Sequence, residues 1–178
     1  MERAVEQVRL LRDLRPAAQV VIAMALDHVD ATYSYSGNAR VDPASELYQP
    51  YHNGLHTRYV TADTLRACDV LGITGFGREV AAVAAANHDT EHELDAGADL
   101  NEQQSVVIMH GFMDTQKDAF TDIAYNYSRL ALLGTYVDKA GFMLLQRATQ
   151  QDYPSKLAEG IAHAVAAGDL GRLFAPDG

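Results

Sequence analysis

The stretch Arg78-Glu79-Val80-Ala81-Ala82-Val83-Ala84-Ala85-Ala86-Asn87 is nearly all alanine and valine. A helix that is apolar all round belongs inside a protein and not on its surface. The run therefore predicts a helix over 78–87, buried on most sides, with other helices around it. His88-Asp89 follows directly. An imidazole and a carboxylate brought together at the buried end of a helix suit a borderline divalent metal.

Working outward, the same period recurs. His56, Val60, Thr64, Ala67 and Leu71 repeat at steps of three and four before Gly72, which predicts a helix over 52–71 ended by that glycine. Gly72, Gly75 and Gly77 read as a plain turn between helices, because no Lys-Ser/Thr follows to make a phosphate loop. Upstream, Pro16 suits a first turn and 17–29 is apolar enough for a buried helix. The segment 31–51, with Ser34, Gly37, Asn38, Pro43 and Pro50, reads as a long loop. Downstream, Asn101 with Gln104 predicts a capped helix carrying Ser105, Ile108, Met109 and Phe112 on one face and His110 beside it. Residues 118–150 predict two helices broken near Gly134, and 152–168 a last helix opened by Pro154 and stopped by Gly168. No alternating pattern of strands, no internal repeat and no low-complexity tract intervenes. The expectation is an all-α, single-domain helical bundle spanning 1–178.

Composition limits the function. The chain has 178 residues, 48% hydrophobic and 21% charged, as an ordinary soluble domain does. Its formal charge of −10 argues against binding a nucleic-acid polymer, which needs a basic footprint. A small phosphorylated substrate stays open, since a bound cation can reverse the local field. The single Cys68 excludes an internal disulfide and fits a reducing compartment. The charged N-terminus and the lack of an 18-residue apolar run predict a cytoplasmic protein with no membrane partner.

Seven histidines occur, and His52, His56, His88, His92 and His110 cluster in the middle of the chain. His52/His56 and His88/His92 have the four-residue spacing that puts two rings on one helical face. The reversed pair Asp27-His28 and the isolated His163 read as structural. There is no HExxH, no Glu-x-x-His and only one cysteine, which weighs against zincin, ferritin-like and zinc-finger sites. On chemistry alone, metal ligation and plain helix packing both remain open for these histidines.

Tyr51-His52-Asn53-Gly54-Leu55-His56 followed by Val60 resembles the YHNxxH segment of the HD superfamily, which includes the cyclic-nucleotide phosphodiesterases. Asn87-His88-Asp89-Thr90-Glu91-His92 resembles its HDxxH motif, and Asn101-Glu102-Gln103-Gln104-Ser105 an NExxS stretch found in small bacterial members. The resemblance covers about residues 48–140. It leaves 1–47 as N-terminal helices and loop.

The resemblance implies a phosphodiesterase-like helical fold and one or two divalent ions, with Mn, Mg, Fe, Zn, Co and Ni all open. His56, His88 and Asp89 are the implied ligands, His52 the implied general acid, and His92 an implied auxiliary catalytic or second-metal residue. For the last ligand, Tyr136-Val137-Asp138-Lys139-Ala140 resembles the superfamily's final aspartate segment, so Asp138 is favoured over Asp122. The chain departs at Ser128-Arg129-Leu130, where small members carry an acid before Leu-Gly. The expected function is metal-dependent hydrolysis of a small phosphoester, a nucleotide being the favoured substrate. The rivals are an HD-type di-iron oxygenase using His92 and His110, and a nucleotide-sensing module without turnover. A homo-oligomer is compatible with all three.

Overall fold

The computed structural model describes residues 10–33, 52–91, 100–135 and 155–173, and among them no strand occurs. Among the described residues, after the helical residues 10–12, six α-helices follow in order: α1 (Pro16–Thr32), α2 (Gly54–Leu71), α3 (Gly75–Asn87), α4 (Leu100–Asp114), α5 (Asp122–Leu133) and α6 (Lys156–Leu173). A 3-10 turn, Lys117–Ala119, joins α4 to α5. The all-α bundle expected from the periodicity is what the chain forms. None of its described helices is long and apolar enough to cross a membrane.

The alanine-valine helix is the axis of the bundle. α3 packs against each of the other five helices, and every residue from Gly77 to Asn87 is buried. Small side chains make this feasible, since they let five neighbours approach one rod without overfilling the space. The core continues from α3 through Val21 and Ile22 on α1 and Leu65 on α2. Met109 on α4, Leu132 on α5 and Ile161 on α6 complete it.

Local signals set the helix ends. Asn53 caps α2, its side chain accepting from the amides of Leu55 and His56 at 3.0 and 3.1 Å. Gly72 ends α2 in the left-handed region (φ 69°), where its missing Cβ removes the steric cost. Thr121 caps α5 through the amide of Ala124. Ser155 does the same for α6, accepting from Ala158 at 3.1 Å. α1 lacks a side-chain cap of its own. Instead Glu79 reaches over from α3, accepting from the Arg15 amide at 3.0 Å and its Nε at 2.7 Å.

Several boundaries differ from expectation, each for a physical reason. α1 runs on to Thr32, so Ala31 and Thr32 are helical and not part of a loop, and the rest of that expected loop, 34–51, lies outside the described residues. His52 precedes the cap of α2 and does not sit on the helix. Gly75 and Gly77 belong to the first turn of α3 and not to a turn before it, the latter packed against Leu157 and Ile73. Asn101 is inside α4 and does not cap it. Gly134 does end α5, but the expected helix beyond it and the segment 152–154 lie outside the described residues. α6 continues through Gly168 to Leu173. Gly168 was expected to stop it, yet that glycine serves helix contact: a Cβ there would lie 2.8 Å from both the Val60 oxygen and the Thr64 nitrogen of α2.

Candidate metal centre

Three pieces of chain meet beside the end of α3. His56 occupies the first turn of α2, fixed by the Asn53 cap on its own amide. His88 and Asp89 continue the last turn of α3, His88 in helical conformation (φ −62°, ψ −31°). Thr90 closes that turn through its amide and hydroxyl, both donating to the Asn87 carbonyl. His28 of α1 secures it from outside by donating from Nε2 to the Thr90 carbonyl at 3.0 Å. The third piece is the C-terminal part of α6, which brings Asp169.

The donor atoms crowd together. His56 Nε2 and His88 Nε2 are 3.3 Å apart. Asp89 Oδ2 lies 3.4 Å from the first and 3.1 Å from the second. Asp169 Oδ1 lies 3.3 and 3.7 Å from the same two nitrogens. Ligands about 2.1 Å from one cation sit roughly 3.0–3.5 Å from their neighbours in octahedral or tetrahedral arrangements. Four of the five separations fall in that range and the fifth, 3.7 Å, lies just beyond it, and His56, His88 and Asp169 form a group whose donor atoms all lie within 4.8 Å of one another.

Outer contacts favour ligation as well. His88 Nδ1 donates to the Ala85 carbonyl at 2.7 Å. In the neutral ring, the form that binds a cation, the lone pair is thereby left on Nε2, the nitrogen that faces the cluster. Two imidazoles and the Asp169 carboxylate, with Asp89 beside them, form a donor set suited to Zn, Mn, Fe, Co or Ni. The residues present fit a divalent cation.

Electrostatics bind the cluster tightly. Burial works against the charge on His88, but Asp89 and Asp169 outweigh it and raise its pKa to about 9. Burial likewise opposes ionisation of Asp89, yet His88 and His52 hold its carboxyl well below the usual range. His52 Nδ1 donates to Asp89 Oδ2 at 2.9 Å. Its pKa is raised on balance, burial lowering it and Asp89 raising it more. The side chains of His56, His88 and Asp89 are 2–9% exposed, against 27% for His52 and 15% for Asp169. Access to the cluster is therefore from the His52 and Asp169 side.

Of the residues expected from sequence, His52, His56, His88 and Asp89 are brought together. Asp138 and His92 lie outside the described residues. Asp122 is exposed in the first turn of α5 and takes no part in the cluster's ion pairs. His110 is half-buried on α4, its Nε2 donating to the Tyr125 carbonyl at 3.4 Å and its ring edge-on to Tyr125. Asp169 was missed by the sequence reading, which ended the last helix at Gly168, one residue short of it and five short of Leu173. A signal existed: like Asp89, it is an acid one or two intervening residues beyond an alanine-rich run, here 161–167 followed by Gly168. No family model, curated protein or solved structure matches this chain.

Proposed function

We propose that this chain is a metal-dependent phosphohydrolase of the HD type, acting on a small phosphoester such as a nucleotide. The observation that carries the reading is the convergence of His56, His88, Asp89 and Asp169 from α2, α3 and α6, with His52 bonded to the Asp89 carboxylate. A divalent cation at such a site supplies Lewis acidity and lowers the pKa of a bound water from about 16 towards 7.

The chain's own residues have distinct tasks. His56 and His88 present Nε2 lone pairs, and Ala85 holds the His88 ring in register. Asp89 serves twice, through its proximity to both imidazoles and through the proton it keeps on His52. Because Nδ1 of His52 faces Asp89, Nε2 is the nitrogen that would pass a proton to the departing oxygen. General acids of this kind contribute about 10²- to 10⁴-fold. The low exposure of the other side chains keeps bulk water from competing for their donor atoms. The overall charge of −10 fits a small substrate better than a polyanionic polymer. His110, with its Nε2 donated to the Tyr125 carbonyl, lends no support to an oxygenase.

Elemental analysis of the purified protein, followed by a phosphoester panel under Mn, Mg, Zn, Co and Ni, tests this directly. The expected result is stoichiometric metal and turnover that disappears in Asp89→Ala together with the metal. Undiminished turnover by folded Asp89→Ala, or no turnover of any ester under any cation, would overturn it.

A further inference from the structure

Three glycines lie within α6, Gly160, Gly168 and Gly171, the first two amid buried packing. Glycine is a poor helix former, so its presence inside a helix asks for a local cause. At Gly160 there is little: a Cβ would meet the Cδ1 end of Ile73 at 3.3 Å, a side-chain tip able to turn aside. At Gly168 the obstacle is backbone. A Cβ there would sit 2.8 Å from the Val60 oxygen and 2.8 Å from the Thr64 nitrogen, and closer still to the Thr64 hydroxyl. Neither backbone atom can yield without moving α2 itself. An added carbon would need about 0.7 Å more to reach ordinary contact distance.

Val60 and Thr64 stand one and two turns beyond His56 on α2, along the same face. Asp169 is the next residue after Gly168 and lies 3.3 Å from His56 Nε2. This tight backbone approach between α2 and α6 is thus adjacent to the carboxylate that faces the imidazole. We propose that Gly168 is a positioning residue: by letting α6 rest on the backbone of α2, it sets the distance at which Asp169 faces His56 and His88. This rests on the reading that the cluster holds a cation.

The test is titration of metal-free protein with Zn²⁺ alone and Mn²⁺ alone, alongside melting temperatures. Wild type and Gly160→Ala should bind alike. Gly168→Ala should bind about 10- to 100-fold more weakly, the usual penalty for displacing a group that orients a ligand. Asp169→Glu, one methylene longer on a partly exposed side chain, should bind more weakly in the wild-type background because it overshoots. In the double variant Gly168→Ala/Asp169→Glu the longer arm should span the widened gap and recover most of the affinity. A purely structural glycine would lower the melting temperature but allow no such rescue.

Equal affinity of Gly168→Ala and wild type, failure of the double variant to recover, or an unchanged affinity in Asp169→Glu would each overturn the inference. Should Gly168→Ala not fold, Asp169→Glu decides alone. Wild type binding neither cation would fail the cation reading itself, and this inference with it. Tight wild-type binding with an indifferent Gly168→Ala would fail the positioning role only.

Discussion

Oδ1 of Asp169 lies 3.3 Å from Nε2 of His56, although one residue sits near the end of α6 and the other in the first turn of α2. The same oxygen is 3.7 Å from His88 Nε2. Asp169 is thus a second acid beside the two imidazoles, while Asp138, the last ligand that the resemblance implies, lies outside the described residues. Asp169→Ala should fold, being partly exposed, and should lose more than the roughly 100-fold in cation affinity that loss of an outer partner costs. Calorimetric titration of metal-free protein measures it, with Asp122→Ala as the unaffected control. Unaltered affinity in Asp169→Ala would remove this residue from the site.

His52 is the most exposed member of the cluster and touches Asp89. His52→Gln should retain the metal and lose about 10²- to 10⁴-fold in kcat on alkyl phosphoesters. On aryl esters, whose leaving groups need no proton, the loss should be much smaller. Equal losses on both classes would show that His52 does not act as the acid.

Cys68 is fully buried on the inner face of α2, and burial pushes its thiol pKa up to about 12. The thiolate is the reactive form. Folded protein should therefore resist alkylation throughout pH 7–9 and react fully once unfolded in denaturant. Rapid labelling of native protein at pH 8 would contradict the packing described around α2.

Ala84 sits at the middle of α3 with no exposed surface. Ala84→Leu should destabilise by about 1–3 kcal/mol through overpacking. Val70→Ala, at an 86% exposed position near the end of α2, should change stability by less than about 0.5 kcal/mol. Thermal unfolding followed by circular dichroism separates the two, and an unchanged melting temperature for Ala84→Leu would argue against α3 as the packed axis.

The helices and most of the cluster could be read in the chain because their causes are local. Alanine and valine between Glu79 and Asn87 dictate burial whatever surrounds them, and Gly72 announces the end of α2 by its own backbone. His56, His88 and Asp89 come from compact motifs. What stayed hidden depends on a second element. Gly168 looks like a stop signal until α2 is laid against it, and Asp169 was lost with the truncated helix. Gly77 misled in the same way, since glycine written for close packing and glycine written for a turn are the same letter, whereas Gly75 does take a left-handed backbone (φ 52°) with open space around it. Glu79 serving as cap for another helix carries no mark in sequence at all.

A rod enclosed on every side has no face on which to accept variation. α3 supplies His88 and Asp89 from such a position, while His52, His56 and Asp169 hang from outer helices or their leading edges. A descendant of this chain with a new substrate would have to reshape that periphery and inherit the inner rod unchanged.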